Sequence, residues 1–223
     1  MLKIVSLDIV DLIGFPSGIM FVLKEPLENG SVKVSFYSFD VGTKSIATVT
    51  KNAYLLTKFG PSFSLIAKQL GDYVSCDTGK LWNGQTFIIY STGEMGVFAE
   101  DGKLVRTGDL LYNSAPARDV AIDNNYIWSV VSSKNLIVKY SLLQNRVVMR
   151  IGGDNATTFS SPVAIEEYDG YLYVCCKESR KIRRVKLSDF SVEDYKSFDE
   201  PIYKYLRVAG REFVALESGV YML

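Results

Sequence analysis

The chain has 223 residues, of which 48% are apolar and 22% charged, with 14 tyrosines and 12 phenylalanines. Its 25 basic residues balance its 25 acidic ones, so no global field directs it to nucleic acid or to an anionic membrane, and no stretch has the ~18 uncharged apolar residues of a bilayer span. It contains no histidine, which removes Ser-His-Asp and Cys-His catalysis, His-ligated zinc and the commonest general base.

The opening run, MLKIVSLDIVDLIGF, carries Asp8 and Asp11 within its apolar residues and lacks a small-residue cleavage site, so it reads as strand rather than leader. A dense apolar strand then recurs. It is read at Gly18–Leu23, Ala53–Leu56, Thr86–Tyr90, Tyr126–Val130, Tyr171–Val174 and Glu212–Leu216. Turn residues usually precede each copy, as at Asn83-Gly84, Asn124-Asn125 and Asp169-Gly170. Apolar runs without alternation point to strands buried on both faces. Lys24 to Ser31 reads as a long hairpin, and residues 45–50 as either the last strand of one unit or the first of the next. Leu65–Leu70 has a hint of helical spacing, but Pro61 and Gly71 bracket it too closely for a helix.

The second half carries an internal repeat. Val120-Ala121-Ile122 precedes Val163-Ala164-Ile165 by 43 positions, and Asn125–Val147 precedes Gly170–Val192 by a constant 45. The matched pairs include Tyr126 with Tyr171, Trp128 with Tyr173, Ile137 with Ile182, and Leu142 with Leu187. Each unit is a meander of strands and tight turns that cannot bury both its faces alone, so it needs neighbours of its own kind. The glycine-rich Ile151–Asn155 follows a predicted outer strand and opens no helix, so it reads as a link between units.

These units resemble β-propeller blades of the NHL or WD kind. The likeness runs through residues 113–223 and is looser over 1–112, and the Gly-His/Trp-Asp pairs of true WD repeats are absent. It implies an all-β fold with residues 1–223 in a single closed propeller. Six blades are favoured, five or seven remain compatible, and at six some blades would have only three strands. The chain stops at Val220–Leu223, one strand short of a four-stranded unit, so the simplest closure adds Leu2–Leu7 to the last sheet.

The three cysteines, Cys76, Cys175 and Cys176, are odd in number, and the adjacent two point to opposite faces of a strand. This argues for free thiols in a reducing compartment, and three scattered cysteines make no zinc site. Lactonase-like and phosphotriesterase-like propellers hold calcium in the channel with carboxylates and amides. The matching candidates are Asp119, Asp123, Asn124, Glu166 and Glu167, although residues 123–125 equally suit a turn. The sharpest charge feature is Lys177, Arg180, Lys181, Arg183, Arg184 and Lys186. It could hold an acidic protein patch or a nucleic-acid backbone, or be a solvated hairpin neutralised by Glu178, Asp189, Glu193 and Asp194. Tyr195, Phe198, Tyr203 and Tyr205 form an aromatic group that core packing mostly explains.

The expectation is a non-enzymatic structural or protein-interaction scaffold without catalytic residues, cofactor or metal, cytoplasmic or, if viral, in the virion. A likeness to the ring-forming propeller domains of viral tail-nozzle proteins would make it a homo-oligomeric ring. The alternatives are a calcium-dependent lactonase-like hydrolase and a nucleic-acid-binding propeller.

Overall fold

The computed structural model describes residues 1–6, 9–61, 63, 78–153 and 157–223. The first strand, β1 (Leu2–Val5), is followed by a four-stranded meander of β2 (Ile9–Phe15), β3 (Gly18–Pro26), β4 (Val32–Asp40) and β5 (Ile46–Val49). A helix, α1 (Lys51–Phe59), leads toward the second meander, β6 (Thr78–Trp82), β7 (Gln85–Ile89), β8 (Glu94–Phe98) and β9 (Leu104–Asp109). A two-stranded ribbon, β10 (Leu111–Tyr112) with β11 (Ala115–Pro116), precedes the third, β12 (Asp119–Asp123), β13 (Tyr126–Val131), β14 (Leu136–Ser141) and β15 (Arg146–Gly152). The fourth is β16 (Pro162–Tyr168), β17 (Tyr171–Cys176), β18 (Lys181–Lys186) and β19 (Val192–Ser197). The fifth has β20 (Ile202–Val208), β21 (Arg211–Leu216) and β22 (Gly219–Met222), and β1 supplies its fourth strand.

This is a five-bladed β-propeller in which every blade has four strands. The expected closure is present: β1 runs antiparallel to β22, with Leu2 opposite Met222 and Val5 opposite Val220. The repeat also holds in space. Tyr126 and Tyr171 each open the second strand of a blade, and Ile137 and Ile182 are each the second residue of the third.

The count falls to five because one dense copy is not a strand. Ala53–Leu56 lies in α1, which Thr50 caps by accepting a hydrogen bond from the Ala53 amide at 3.1 Å. Gly60 ends the helix at φ 75°, its amide donating to the Leu56 carbonyl. With that copy removed, no blade is reduced to three strands, and residues 46–49 are the last strand of blade 1. The hint of helix at 65–70 lies outside the described residues.

Each second strand serves two cores. Along β17, Leu172, Val174 and Cys176 pack against blade 3, while Tyr173 and Cys175 pack against blade 5. Along β7, Phe87 and Ile89 face blade 3 and Ile88 faces blade 1. The same alternation in β3 and β21 places one apolar cluster between each pair of adjacent blades, and α1 fills the wedge between blades 1 and 2 with Tyr54, Leu55 and Phe59.

The turns joining first to second strands are short, with left-handed backbone at Asn83-Gly84, Asp169-Gly170 and Ala209-Gly210. The opposite face carries α1, the β10–β11 ribbon and the β3–β4 arm, which extends past β2 and β5 from Lys24 to Val34. One face is therefore plain and the other elaborated.

Candidate functional site

The inner strands β2, β6, β12, β16 and β20 surround a central cavity of about 1040 Å3. Each contributes one charged side chain to it: Asp11, Lys80, Asp119, Glu166 and Lys204, respectively. Lys58 of α1 adds a sixth, and Arg118 also lines the cavity.

These groups are matched in pairs that cross between blades. Lys204 Nζ donates to Asp119 Oδ2 at 2.7 Å and lies 3.2 Å from Glu166 Oε1. Lys80 Nζ donates to Glu166 Oε2 at 2.7 Å. Asp119 Oδ2 also accepts the Ile165 amide at 3.0 Å, tying blade 3 to the inner strand of blade 4. Asp11 is held from α1, where Tyr54 and Lys58, one turn apart, both donate to Oδ2.

Electrostatics follow from this geometry. Burial alone would raise the carboxyl of Asp119, but Lys204, Lys80 and the Ile165 amide outweigh it and hold it below its ordinary value. Asp11 is likewise lowered, burial being overcome by Lys58 and Lys204 and by the Lys58 and Tyr54 hydrogen bonds. Burial would depress Lys204, yet Asp119, Glu166 and Asp11 raise it well above the ordinary lysine value. All three are charged at neutral pH.

Of the calcium candidates, Asp119 and Glu166 do converge, but on the ammonium of Lys204. A lysine charge occupies the place a cation would take, and no cluster of three metal-ligating acids occurs among the described residues. Asp123 and Asn124 hydrogen-bond each other at the turn after β12, and Glu167 Oε1 accepts the Gly170 amide at 3.0 Å. This donor set does not fit a calcium centre.

The basic stretch lies on blade 4, on β18 and the turn before it. Lys181 and Arg183 reach Asp194 at 2.6 and 2.9 Å, and Arg184 Nε donates to Glu193 at 2.9 Å. Lys186 lies 3.6 Å from Asp189, Arg180 donates to the Asp199 carbonyl at 2.8 Å, and Lys177 stands 5.0 Å over the Tyr203 ring. The neighbouring strand β19 thus supplies most of the counter-charge. In the aromatic group, Tyr205 is fully buried, Tyr195 and Phe198 are partly buried, and Tyr203 is 37% exposed. Cys175 and Cys176 are free and buried on opposite faces, and burial pushes the Cys176 thiol up to about 11. Cys76 lies outside the described residues.

Sequence reasoning missed Asp11, Lys58, Lys80 and Lys204. A charged residue inside an apolar inner strand is the signal that marks three of them, but its partner is set by closure of the ring, which no local pattern encodes.

No protein-family model matches the sequence, and no curated protein matches it. Among solved structures, the chain is similar to the computationally designed Ika8 protein, with 10% identity, a TM-score of 0.51, and coverage of 96% of this chain and 57% of that one. It also matches the computationally designed Ika4 protein (8% identity, TM-score 0.49, 67% of this chain and 90% of that one). BamB from Moraxella catarrhalis matches at 8% identity and a TM-score of 0.49, over 92% of this chain and 55% of that one. The chain spans little more than half the length of Ika8 and BamB. At such identities the likeness concerns the fold alone.

Proposed function

We propose that the protein is a non-enzymatic structural and protein-interaction propeller that works within a larger assembly. The observation that carries this reading is the channel: its carboxylates Asp11, Asp119 and Glu166 are engaged by Lys58, Lys80 and Lys204, so the groups that would hold a metal or activate water instead bind the blades together. A torus tied across its centre is a rigid platform, and its elaborated face is the one suited to a partner.

The finer version is a homo-oligomeric ring like those built by the propeller domains of viral tail-nozzle proteins. Free buried cysteines support a reducing location, in the cytoplasm or an intracellularly assembled virion. No helix among the described residues is long and apolar enough to cross a membrane. The basic stretch on blade 4, Lys177, Arg180, Lys181, Arg183, Arg184 and Lys186, is proposed as a secondary protein contact. Its pairing with β19 speaks against a phosphate-backbone site.

Two measurements test the reading. Light scattering is expected to give a mass above that of one chain. Thermal melts with calcium and with chelator are expected to coincide, and Glu166→Gln to lower both equally; a calcium-dependent rise of several degrees that Glu166→Gln abolishes would replace the scaffold with the hydrolase.

A further inference from the structure

The chain contains two Asn-Gly pairs, Asn29-Gly30 and Asn83-Gly84. In such a pair the amide nitrogen of the glycine can attack the side-chain carboxamide, because no Cβ stands in its way. The two pairs differ in their surroundings. Asn29 is exposed at the tip of the β3–β4 arm, beyond the last ladder pair of Pro26 with Val32. A Cβ built on Gly30 would meet nothing within 4 Å, so the tip has open space around it. Asn83-Gly84 is instead the two-residue turn between the paired Trp82 and Gln85, with φ of 48° and 73°. Among the described residues no hydrogen bond reaches the Asn83 carboxamide.

The Asn29 carboxamide, by contrast, is held by two donors. Its Oδ1 accepts the Ser31 amide at 3.0 Å and the Ser31 hydroxyl at 2.6 Å. These donors sit where negative charge develops when Cγ is attacked, which is the arrangement of an oxyanion hole. We propose that Asn29 is a self-modification site, converted by its own neighbours into aspartate and isoaspartate through a cyclic imide. The Gly30 nitrogen leaves the Leu27 carbonyl, which it now bonds at 2.9 Å, gives its proton to hydroxide and forms a bond to Cγ. The tetrahedral intermediate carries its charge on Oδ1, between the two Ser31 donors. It collapses with cleavage of the bond from Cγ to the side-chain nitrogen, which takes a proton from water and departs as ammonia. Water then adds to either imide carbonyl, one opening giving aspartate and the other isoaspartate. The sum is asparagine plus water to a carboxylate plus ammonia.

The arm carries Lys24 and Lys33 against Glu25 and Glu28, so it is neutral until the reaction adds a negative charge. The chemistry stands apart from the scaffold reading; only its consequence, an acidic arm on the face offered to a partner, draws on it. The test incubates the folded full chain at mildly alkaline pH and follows the tryptic peptides 25–33 and 81–103 by mass spectrometry, with an isoaspartate-specific methyl-transfer label. Asn29 is expected to convert roughly tenfold faster than Asn83 in the folded chain, and the two at similar rates in urea. Ser31→Ala removes the hydroxyl and keeps the amide. It should slow Asn29 roughly threefold or more, leaving Asn83 and the thermal melt unchanged, and Ser31→Thr should restore the rate. Equal rates at the two asparagines of the folded chain, or a Ser31→Ala variant that converts as fast as wild type, would overturn the proposal and leave the scaffold reading untouched.

Discussion

Lys204 on the fifth blade places its ammonium 2.7 Å from the carboxylate of Asp119 on the third, with the inner strand of the fourth blade bonded to the same oxygen. The bond therefore spans two blade interfaces at once. With their side chains 17% and 8% exposed, each charge recovers only part of its hydration if the other is removed.

Lys204→Met is accordingly expected to be among the most destabilising single changes. It leaves Asp119 without its ammonium and takes one of two from Glu166, a loss of about 3–5 kcal/mol. At ~2–4 °C per kcal/mol for a chain of this size, the melting temperature should fall by roughly 10 °C, read by circular dichroism. The double change Lys204→Met with Asp119→Leu should recover part of it. A single variant that melts within a degree of wild type would show that the channel pairs contribute little.

The same groups set the response to pH. Asp11 and Asp119 have folded-state values below the ordinary 3.8, so their contribution is present above that value and is lost as pH falls through the lower folded values. Lys204 is raised above the ordinary 10.5, so its contribution is complete below that value and is lost only as pH rises through the higher folded one. With no histidine in the chain, these three groups give a plateau across neutral pH and a steep acid limb. Urea unfolding from acid to alkaline pH checks this; a stability maximum that narrows around neutrality would contradict it.

Closure of the ring depends on a backbone approach that only glycine permits. Gly219 adopts φ 145°, and a Cβ there would meet the Val5 carbonyl oxygen at 1.9 Å. Gly219→Ala is expected to loosen β1 first, raising amide exchange at Leu2–Val5 while the β17 amides stay protected. Equal loss of protection in both places would mean that closure and the remaining blades unfold as one unit.

Removing the counter-charge from blade 4 should expose its basic strand. Glu193→Gln with Asp194→Asn leaves Lys181, Arg183 and Arg184 without their main partners. Because these acids are exposed, stability should change by less than ~1 kcal/mol. Retention on a polyanion column should rise and become more salt-dependent. Tight, steeply salt-dependent retention already in the wild type would favour the nucleic-acid reading.

Much of this architecture was legible because it is local. The Asp169-Gly170 and Asn83-Gly84 turns, the unbroken apolar runs and the offset between Tyr126 and Tyr171 are each set by residues close in sequence. Ala53–Leu56 misled because Ala-Tyr-Leu-Leu suits a buried strand or a buried helix equally, and a run of four cannot separate the two periods. The deciding residues lay outside it, in Thr50 and Gly60, which bound the helix. Glu166 and Asp119 were legible as inward acids, whereas Lys80 and Lys204, ordinary lysines in the sequence, acquired their role only when distant strands were brought around one axis.

The register that seals the ring also decides how the molecule would yield to force. Since Leu2 stands directly across from Met222, the two ends of this chain leave the same sheet side by side. Tension applied between them would strip β1 from β22 rung by rung, as a zipper opens, instead of loading all the rungs in shear. The torus should therefore open at low force from its seam, and a pull through an internal loop should meet far greater resistance.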